Sequence, residues 1–194
     1  MAAICVFCAS SSTIDRLWLD LATRTGEELA TRGHTLVSGG GCVGMMGAVA
    51  DGARAGGAHT LGVIPQSLVD LEVADTAADE LIVTGDMGGR KNMMIERSDA
   101  FLILPGGLGT LDELFEAMVL VQTQKVTSFP IVLLGAAFWG PMIDWIRGTL
   151  VAEGMVSEKD LDLIQVVDSP EEAVNLVLHG HVRAPSTNGD QRPE

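Results

Sequence analysis

The sequence predicts an α/β fold, a Rossmann-like doubly wound parallel sheet with helices on both faces. Two observations lead to this prediction. Short apolar runs, typical of strands buried on both sides, alternate along the chain with segments of helical length. Two glycine-rich loops each follow an apolar run and precede a predicted helix. In such sheets ligands bind beyond the carboxyl ends of the strands, so we expect both loops to share one crevice.

The predicted strands are apolar runs that end at a turn signal or a polar residue. They cover 3–8, 34–37, 59–64 (stopped by Pro65), 81–84, 100–104, 130–134 and 163–167. The predicted helices cover 14–31 (ending at Gly33), 43–55 (closed by Gly56), 87–98, 111–124, 138–153 and 170–178, which has proline in its first turn.

Two polar stretches fall outside these elements. Residues 67–79 are expected to be weakly ordered, and the proline-containing tail 180–194 is expected to be disordered. We therefore expect 1–179 to form a single nucleotide-binding α/β domain.

Composition narrows the class of protein. The 194 residues suffice for one domain with a sizeable core, and 47% apolar with 20% charged residues indicates a globular chain. A net charge of −14 argues against nucleic acid or an anionic membrane as a partner. No apolar run reaches the roughly 18 residues of a membrane span, and no basic leader precedes the first apolar run. We expect a cytoplasmic protein.

The cysteines and histidines do not indicate a metal site. Three cysteines are an odd number, which does not fit a disulfide framework. Cys5 and Cys8 form a C-x-x-C pattern, but on a strand residues three apart point to opposite faces, which favours packing over redox or metal chemistry. The four histidines show no ligand spacing apart from the pair His179 and His181 near the end of the chain. We predict no metal.

The first glycine loop, 38–47, contains the pattern G-x-G-x-x-G. A dinucleotide fingerprint also needs a carboxylate at the end of the next strand, and here that strand ends in Ile64, Pro65 and Gln66. A P-loop needs a lysine after the glycines, which is missing. Two alternatives remain: a phosphate-binding loop, or glycines that only permit a helix to pack closely on a strand. The candidate phosphate-binding residues here are Gly39, Gly40, Gly41 and Gly44.

The second glycine loop begins at Pro105 and leads into a helix that contains Glu113. Glycines free backbone N–H groups to approach an anion, and a helix N-terminus adds partial positive charge. The simpler alternative is a capping box with Thr110 as N-cap and Glu113 at N3, although a cap alone does not need three glycines. Near the positive end of the helix, Glu113 should favour its ionised form. Asp112 should point toward solvent, whereas Glu116, one turn on, could flank the same cleft.

A third segment concentrates positive charge and methionine. Arg90, Lys91 and Arg97 lie within eight positions of a chain with only 12 basic residues. An acidic protein that binds an anionic substrate needs such a local cationic patch, although ordinary surface ion pairs would also explain it. Six methionines lie in or near these segments, and they either pack in the core or line a flexible apolar pocket.

Together these segments resemble the Lonely Guy family of cytokinin riboside 5′-monophosphate phosphoribohydrolases, whose members are often labelled lysine decarboxylases. The resemblance rests on the run 4–11, the first glycine loop, Arg90-Lys91, the run 97–101 and the P-G-G-x-G-T-x-x-E motif at 105–113. It implies a Rossmann-like sheet that forms a homodimer or an assembly of dimers. It also implies hydrolysis of an N-glycosidic bond, which releases an N6-substituted adenine and ribose 5-phosphate without a metal or redox cofactor.

The resemblance also implies a set of site residues. Arg90 and Glu113 match the family's catalytic pair. Its phosphate-binding backbone matches Gly106, Gly107, Gly109 and Thr110, with the first loop and Ser10 assisting, and Met87, Lys91 and Glu116 are assigned to the base and ribose. Members often have His-Glu where this chain has Gly88-Gly89, which leaves the preferred N6 substituent open.

Other functions remain to be weighed. The chain could hydrolyse purine monophosphates generally, or carry a phosphorylated cofactor without catalysis, as do the molybdenum cofactor carriers that share this fold. A pyridoxal phosphate decarboxylase needs a Schiff-base lysine. Of the three lysines, Lys125 and Lys159 lie away from the glycine loops, and Lys91 sits beside Arg90. The segment 114–121 is apolar on more than one face, which favours burial under a partner subunit.

Overall fold

A computed structural model describes residues 1–71, 73–123 and 130–179 of the chain. Across this part of the chain the strands form one parallel sheet in the order β4-β3-β2-β1-β5-β6-β7. The strands are β1 (Ala3–Phe7), β2 (Thr35–Ser38), β3 (Thr60–Pro65), β4 (Glu80–Thr84), β5 (Ala100–Ile103), β6 (Ile131–Leu134) and β7 (Ile164–Val167). The predicted Rossmann-like fold is confirmed.

Helices connect the strands and cover both faces of the sheet. They are α1 (Arg16–Thr31), α2 (Gly44–Ala55), α3 (Gln66–Val69), α4 (Met87–Glu96), α5 (Leu108–Gln122), α6 (Ala136–Trp145), which continues as a π-helical segment (Ile146–Val151), α7 (Glu158–Leu161) and α8 (Pro170–His179). Within the described ranges, no helix is both long and apolar enough to cross a membrane.

Side-chain alternation along β1 shows how the sheet separates two apolar layers. Ile4, Val6 and Cys8 belong to the layer under α1, α2 and α8, whereas Cys5 and Phe7 belong to the layer under α4, α5 and α6. The prediction that Cys5 and Cys8 point to opposite faces is therefore confirmed. Burial raises the pKa of both thiols well above the usual range.

The position of β1 brings the two glycine loops together. It is the central strand, with β2 on one side and β5 on the other, so the loops that follow β2 and β5 flank its carboxyl end. The backbone of Ala9 joins them, because its N–H donates to Pro105 O (3.1 Å) and its carbonyl accepts from Met45 N (2.9 Å). The expected shared crevice lies at this switch point of strand order.

Several predicted boundaries differ from the structure: β3 includes Pro65 as its last residue, and α1 begins at Arg16 instead of residue 14. The stretch 67–79 is more ordered than expected: it begins in the short helix α3, and Gly41 pairs with Ala74 beyond it. Helix α5 begins at Leu108 instead of residue 111, and α6 begins at Ala136, after Gly135 with φ +106°. Gln124, at the end of the predicted fifth helix, and the tail 180–194 lie outside the described residues.

Candidate active site

Arg90 and Glu113 form a buried ion pair at the crevice. Arg90 lies on α4 and donates from one terminal nitrogen to Glu113 Oε1 on α5 at 3.0 Å, and their side chains are only 9% and 10% exposed. A second bond from Arg90 Nε to Val63 O (3.1 Å) fixes the guanidinium against the end of β3. Sequence reasoning paired these two residues only through the family resemblance, and the fold brings them into contact.

Burial changes the expected charge state of Glu113. The desolvation of its carboxyl outweighs the attraction of Arg90 and raises its pKa from 4.5 to about 7. The sequence predicted that the positive end of the helix would favour the ionised form of Glu113, but desolvation has the larger effect on its pKa. Because α5 begins at Leu108, Glu113 lies beyond the first turn, where the helix dipole has weakened. The carboxyl therefore titrates near neutral pH, where acid–base chemistry is effective.

The start of α5 lies at the crevice beside this pair. Gly107 is the N-cap, and Gly107, Leu108, Gly109 and Thr110 all line the crevice. The first N–H groups of a helix have no carbonyl partner within it, so they are available to an anion. Since Thr110 lies in the first turn and is not the cap, the capping-box interpretation is wrong. Gly106 is close to Thr110 instead: a Cβ there would lie 2.1 Å from the Thr110 hydroxyl.

The structure divides the glycines of the first loop into two groups. Gly39 and Gly41 line the crevice. Gly40 and Gly44 have positive φ of +70° and +62° and serve close packing: added Cβ atoms would lie 3.1 Å from Val63 N and 2.6 Å from Ser11 O. These two residues and Gly106 are not among the described residues that line the crevice.

The crevice has a volume of about 600 Å³, and one of its walls is apolar. The predicted site residues Ser10, Met87 and Lys91 line it, and Cys8 and Ser11 do so as well. Met46, one of the six methionines considered for an apolar pocket, belongs to this wall. The other residues of the wall were missed, and they are Ile64, Leu68, Leu71 and Val73. Leu68, Leu71 and Val73 come from the stretch expected to be weakly ordered, where isolated apolar residues in a polar run were the available signal.

The wall is held to the first glycine loop by main-chain bonds on either side of Gly41. Cys42 N donates to Val73 O (2.9 Å), and Asp75 N donates to Gly40 O (2.8 Å). Asp75 is buried and also accepts from Arg54 on α2 at 2.6 Å. These contacts join segments that are distant along the chain, and they order residues 73–75, for which the local sequence predicted little order.

The three clustered basic residues have different partners. Lys91 Nζ contacts Asp112 Oδ2 at 2.9 Å and Glu116 Oε2 at 2.8 Å, so Glu116 reaches the crevice only through Lys91. Asp112 is 60% exposed, as expected. Arg97, at the end of α4, contacts Glu80 Oε1 at 3.2 Å near the surface and does not join Arg90. Within the described ranges no group of three or more His, Cys, Asp or Glu side chains is placed to hold a metal ion.

The close approach of Gly39 to Arg90 makes a testable prediction. A Cβ at Gly39 would lie 1.8 Å from a terminal nitrogen of Arg90, so Gly39→Ala must displace the guanidinium from Glu113. Since a misplacement of about 1 Å can cost about 100-fold in rate, we expect a fall in kcat of that order, together with a lower Tm because a buried ion pair is disturbed. Gly140→Ala, where an added Cβ meets nothing within 4 Å, is the control. Full activity in the Gly39 variant would show that this contact is unimportant.

Fold and site together define a Rossmann-like α/β protein whose crevice is lined by the first turn of a helix and by a buried Arg–Glu pair. A family model described as "Possible lysine decarboxylase" matches residues 46–177. Two proteins named cytokinin riboside 5′-monophosphate phosphoribohydrolase are similar in sequence. The one from Mycobacterium tuberculosis is 48% identical over 88% of this chain and 90% of its own length, and the one from Mycobacterium marinum is 41% identical over 91% and 94%. The chain belongs to this family, the Lonely Guy phosphoribohydrolases, which are N-glycosyl hydrolases.

Solved structures with the same fold include proteins of a different function. The molybdenum cofactor carrier protein from Chlamydomonas reinhardtii superposes with a TM-score of 0.67 at 27% identity, covering 92% of this chain and 96% of that one. The molybdenum cofactor binding protein from Rippkaea orientalis gives 0.66 at 26% identity, covering 92% and 96%. The sequence relatives confirm the resemblance to the Lonely Guy family. The fold by itself is compatible with two functions.

Proposed function

We propose that this protein hydrolyses the N-glycosidic bond of N6-substituted adenosine 5′-monophosphates and releases the free base and ribose 5-phosphate. The observation that carries the proposal is the buried Glu113–Arg90 pair next to the open amides at the start of α5. The substrate carries a phosphate at one end of its ribose and the scissile bond at the other. A carboxylate beside an anion site is the arrangement such a substrate needs.

In the proposed reaction, Glu113 acts on the sugar. Breaking the bond between C1′ and the base nitrogen leaves the electron pair on the base and builds positive charge on the ribose, as in sugar hydrolysis. Ionised Glu113 stabilises this charge and accepts a proton from the water that attacks C1′. The departing base nitrogen takes up one proton and Glu113 releases the one that it accepted, so that one water is consumed in total. Arg90 holds the carboxylate in position through the 3.0 Å contact.

The phosphate positions the substrate without taking part in the bond change. In the proposed complex, the N–H groups of Gly107, Gly109 and Thr110 bind its oxygens, assisted by Ser10 and the first glycine loop. Binding energy from this unreactive end holds C1′ against Glu113 and so accelerates the reaction. Gly106, Gly40 and Gly44 contribute by shaping the loops, as their close packing indicates.

The apolar wall supports a substrate with a hydrophobic N6 substituent. Leu68, Leu71 and Val73 add apolar surface to a crevice of about 600 Å³, which suits a nucleotide with an added hydrocarbon group. Met87 is 45% exposed at the same crevice and is proposed to contact the base. We therefore favour cytokinin nucleotides over plain AMP.

One incubation separates the alternatives. The protein is mixed with AMP or isopentenyl-AMP, and free base is measured by chromatography. Faster release from isopentenyl-AMP supports the proposal, and equal rates identify a general purine-monophosphate hydrolase. Release from neither, together with binding of a molybdenum cofactor, would identify a carrier like the Chlamydomonas protein.

A lysine decarboxylase activity is not supported. The chain's lysines are Lys91, Lys125 and Lys159. Hydrogen bonds with Glu116 and Asp112 raise the pKa of Lys91, which keeps its amine protonated and unsuited to forming a Schiff base. Lys159 is on α7, and Lys125 lies outside the described residues.

The raised pKa of Glu113 predicts the pH dependence of the reaction. If the ionised form is active, kcat/KM should be low below pH 7 and rise to a plateau above it, because kcat/KM follows the free enzyme, in which the carboxyl loses its proton near pH 7. The substrate phosphate has its own second pKa of about 6, so the titration of Glu113 is followed between about pH 6.5 and 8.5. A profile that is flat between pH 5.5 and 8.5 would contradict the assigned role.

We also propose a cytoplasmic homodimer. Phe115 and Val119 on α5 are 38% and 52% exposed, whereas Leu114, Ala117 and Val121 face the core. A helix apolar on both sides is stable in water when a second surface covers the outer one. Light scattering should give twice the chain mass, and Val119→Glu should shift the species toward the monomer. A monomeric wild-type protein would contradict the proposal.

A further inference from the structure

We propose that Lys91 is a positioning residue that ties α4 to α5 and thereby keeps the Glu113 carboxylate on Arg90. The relevant group, here termed the α4–α5 charge cluster, consists of Arg90, Lys91, Asp112, Glu113 and Glu116. This inference assigns Lys91 to its protein partners and not to the base or ribose. It rests on the proposed function only where turnover is the readout.

The geometry shows two adjacent cations facing three carboxylates. Arg90 contacts Glu113 at 3.0 Å, and Lys91 contacts Asp112 at 2.9 Å and Glu116 at 2.8 Å. On a helix, positions four apart share one side, so Asp112 and Glu116 present two negative charges to Lys91. Lys91 thus spans more than one turn of the helix that carries Glu113.

The exposed fractions of the Lys91, Asp112 and Glu116 side chains show that Lys91 is largely buried in this contact. Its side chain is only 19% exposed, whereas those of Asp112 and Glu116 are 60% and 32% exposed. Lysine side chains are usually exposed to solvent. Here Lys91 is the least exposed of the three side chains in the contact. Loss of this cation would leave the carboxylates of Asp112 and Glu116 without their counterion. Asp112 directly precedes Glu113 in the sequence, and Glu116 follows it by about one turn of the helix.

Charge links this contact to the chemistry of Glu113. The residues whose charges act on Glu113 are Arg90 and Lys91 from α4 and Asp112 from α5. The buried thiols of Cys5 and Cys8 also interact with Glu113 electrostatically. Burial raises the pKa of both thiols, so they stay neutral. Asp112 raises the pKa of Glu113, and Lys91 lowers it. Removing Lys91 should therefore favour the protonated form of Glu113.

The test is a titration of Glu113 in the free protein, followed by ¹³C NMR of labelled glutamate carboxyls and assigned by the signal lost in Glu113→Gln. Lys91→Met should raise the midpoint, and kcat/KM at pH 6.5 should fall with it. Arg97→Met, which removes a cation from the same helix at its Glu80 contact, is the matched control and should leave the midpoint unchanged.

Replacing Lys91, Asp112 and Glu116 together by uncharged residues distinguishes a positioning role of Lys91 from direct contact with the substrate. The triple variant Lys91→Met, Asp112→Asn, Glu116→Gln should return the midpoint and kcat/KM close to the wild-type values, because the uncompensated carboxylates are gone. If Lys91 contacts the substrate, the triple variant will stay impaired. An unshifted midpoint in Lys91→Met with a raised KM also indicates direct contact, and either result overturns the inference.

Two further variants decide the matter if Lys91→Met fails to fold. Lys91→Arg keeps the cation and should keep the midpoint, whereas Asp112→Asn, Glu116→Gln in the wild-type background should lower it. A midpoint that does not move in the latter overturns the inference. The titration needs no substrate, so a wild-type protein that releases no base would refute the proposed function while leaving this test intact.

Discussion

Glu113→Gln is expected to lower kcat on the order of 100-fold or more while the protein remains folded. Glutamine has the shape of glutamate but carries no negative charge, so it neither stabilises the developing ribose cation nor accepts a proton from water. Steady-state release of base from isopentenyl-AMP at pH 8 measures the effect. At that pH most wild-type molecules have an ionised Glu113, because its pKa is about 7.

Stability measurements distinguish this loss from unfolding. The pKa of Glu113 is higher in the folded than in the unfolded chain, so the folded protein binds more protons between pH 4.5 and 7. This group's contribution to the free energy of unfolding is therefore present at low pH and is lost as pH rises through 7. Glutamine does not titrate, so the loss of stability that the wild type shows as pH rises through 7 should be absent in the variant.

A surface substitution provides the matched control. Glu158 contacts Arg147 at 3.0 Å with both side chains more than half exposed, and Glu158→Gln should leave kcat unchanged. Near-normal turnover in the Glu113 variant would refute the proposed role of this carboxylate. Loss of folding in that variant would conflict with the pKa argument.

Removal of the 5′-phosphate from the substrate is the second change with a large expected effect. The free riboside should show kcat/KM lower by a factor on the order of 100 or more, because several N–H bonds to a charged group are lost. Part of the loss should appear in kcat, since the phosphate positions the reacting carbon. Ribose 5-phosphate should compete with the substrate, whereas ribose should not.

Thr110 allows the phosphate site to be tested from the protein side. It is buried at the start of α5, and its hydroxyl lies at the turn formed by Gly106. Thr110→Val should reduce kcat/KM for the monophosphate and not for the riboside, and Thr110→Ser should retain most of the activity. A riboside cleaved as fast as the monophosphate would show that the start of α5 does not bind phosphate.

Much of the fold was predictable because it depends on local patterns. The apolar strands and the glycine loops predicted a parallel sheet with its site at the carboxyl ends, and the observed strand order confirms the class. The start of α5 was placed three residues late. Thr110-x-x-Glu113 imitates a capping box, whereas in the structure Gly107 is the N-cap. Glycine at a cap leaves a weaker sequence signal than a Thr–Glu pair.

The sequence by itself determined the residue types available for chemistry: loops rich in glycine, an arginine-lysine pair, and a glutamate in a helix that follows a strand. Tertiary structure decided which of them meet, because contacts such as Arg90–Glu113 and Val73–Cys42 join segments distant along the chain. It also decided the pKa of Glu113. Desolvation depends on every neighbour that excludes water, and those neighbours come from several strands and helices at once.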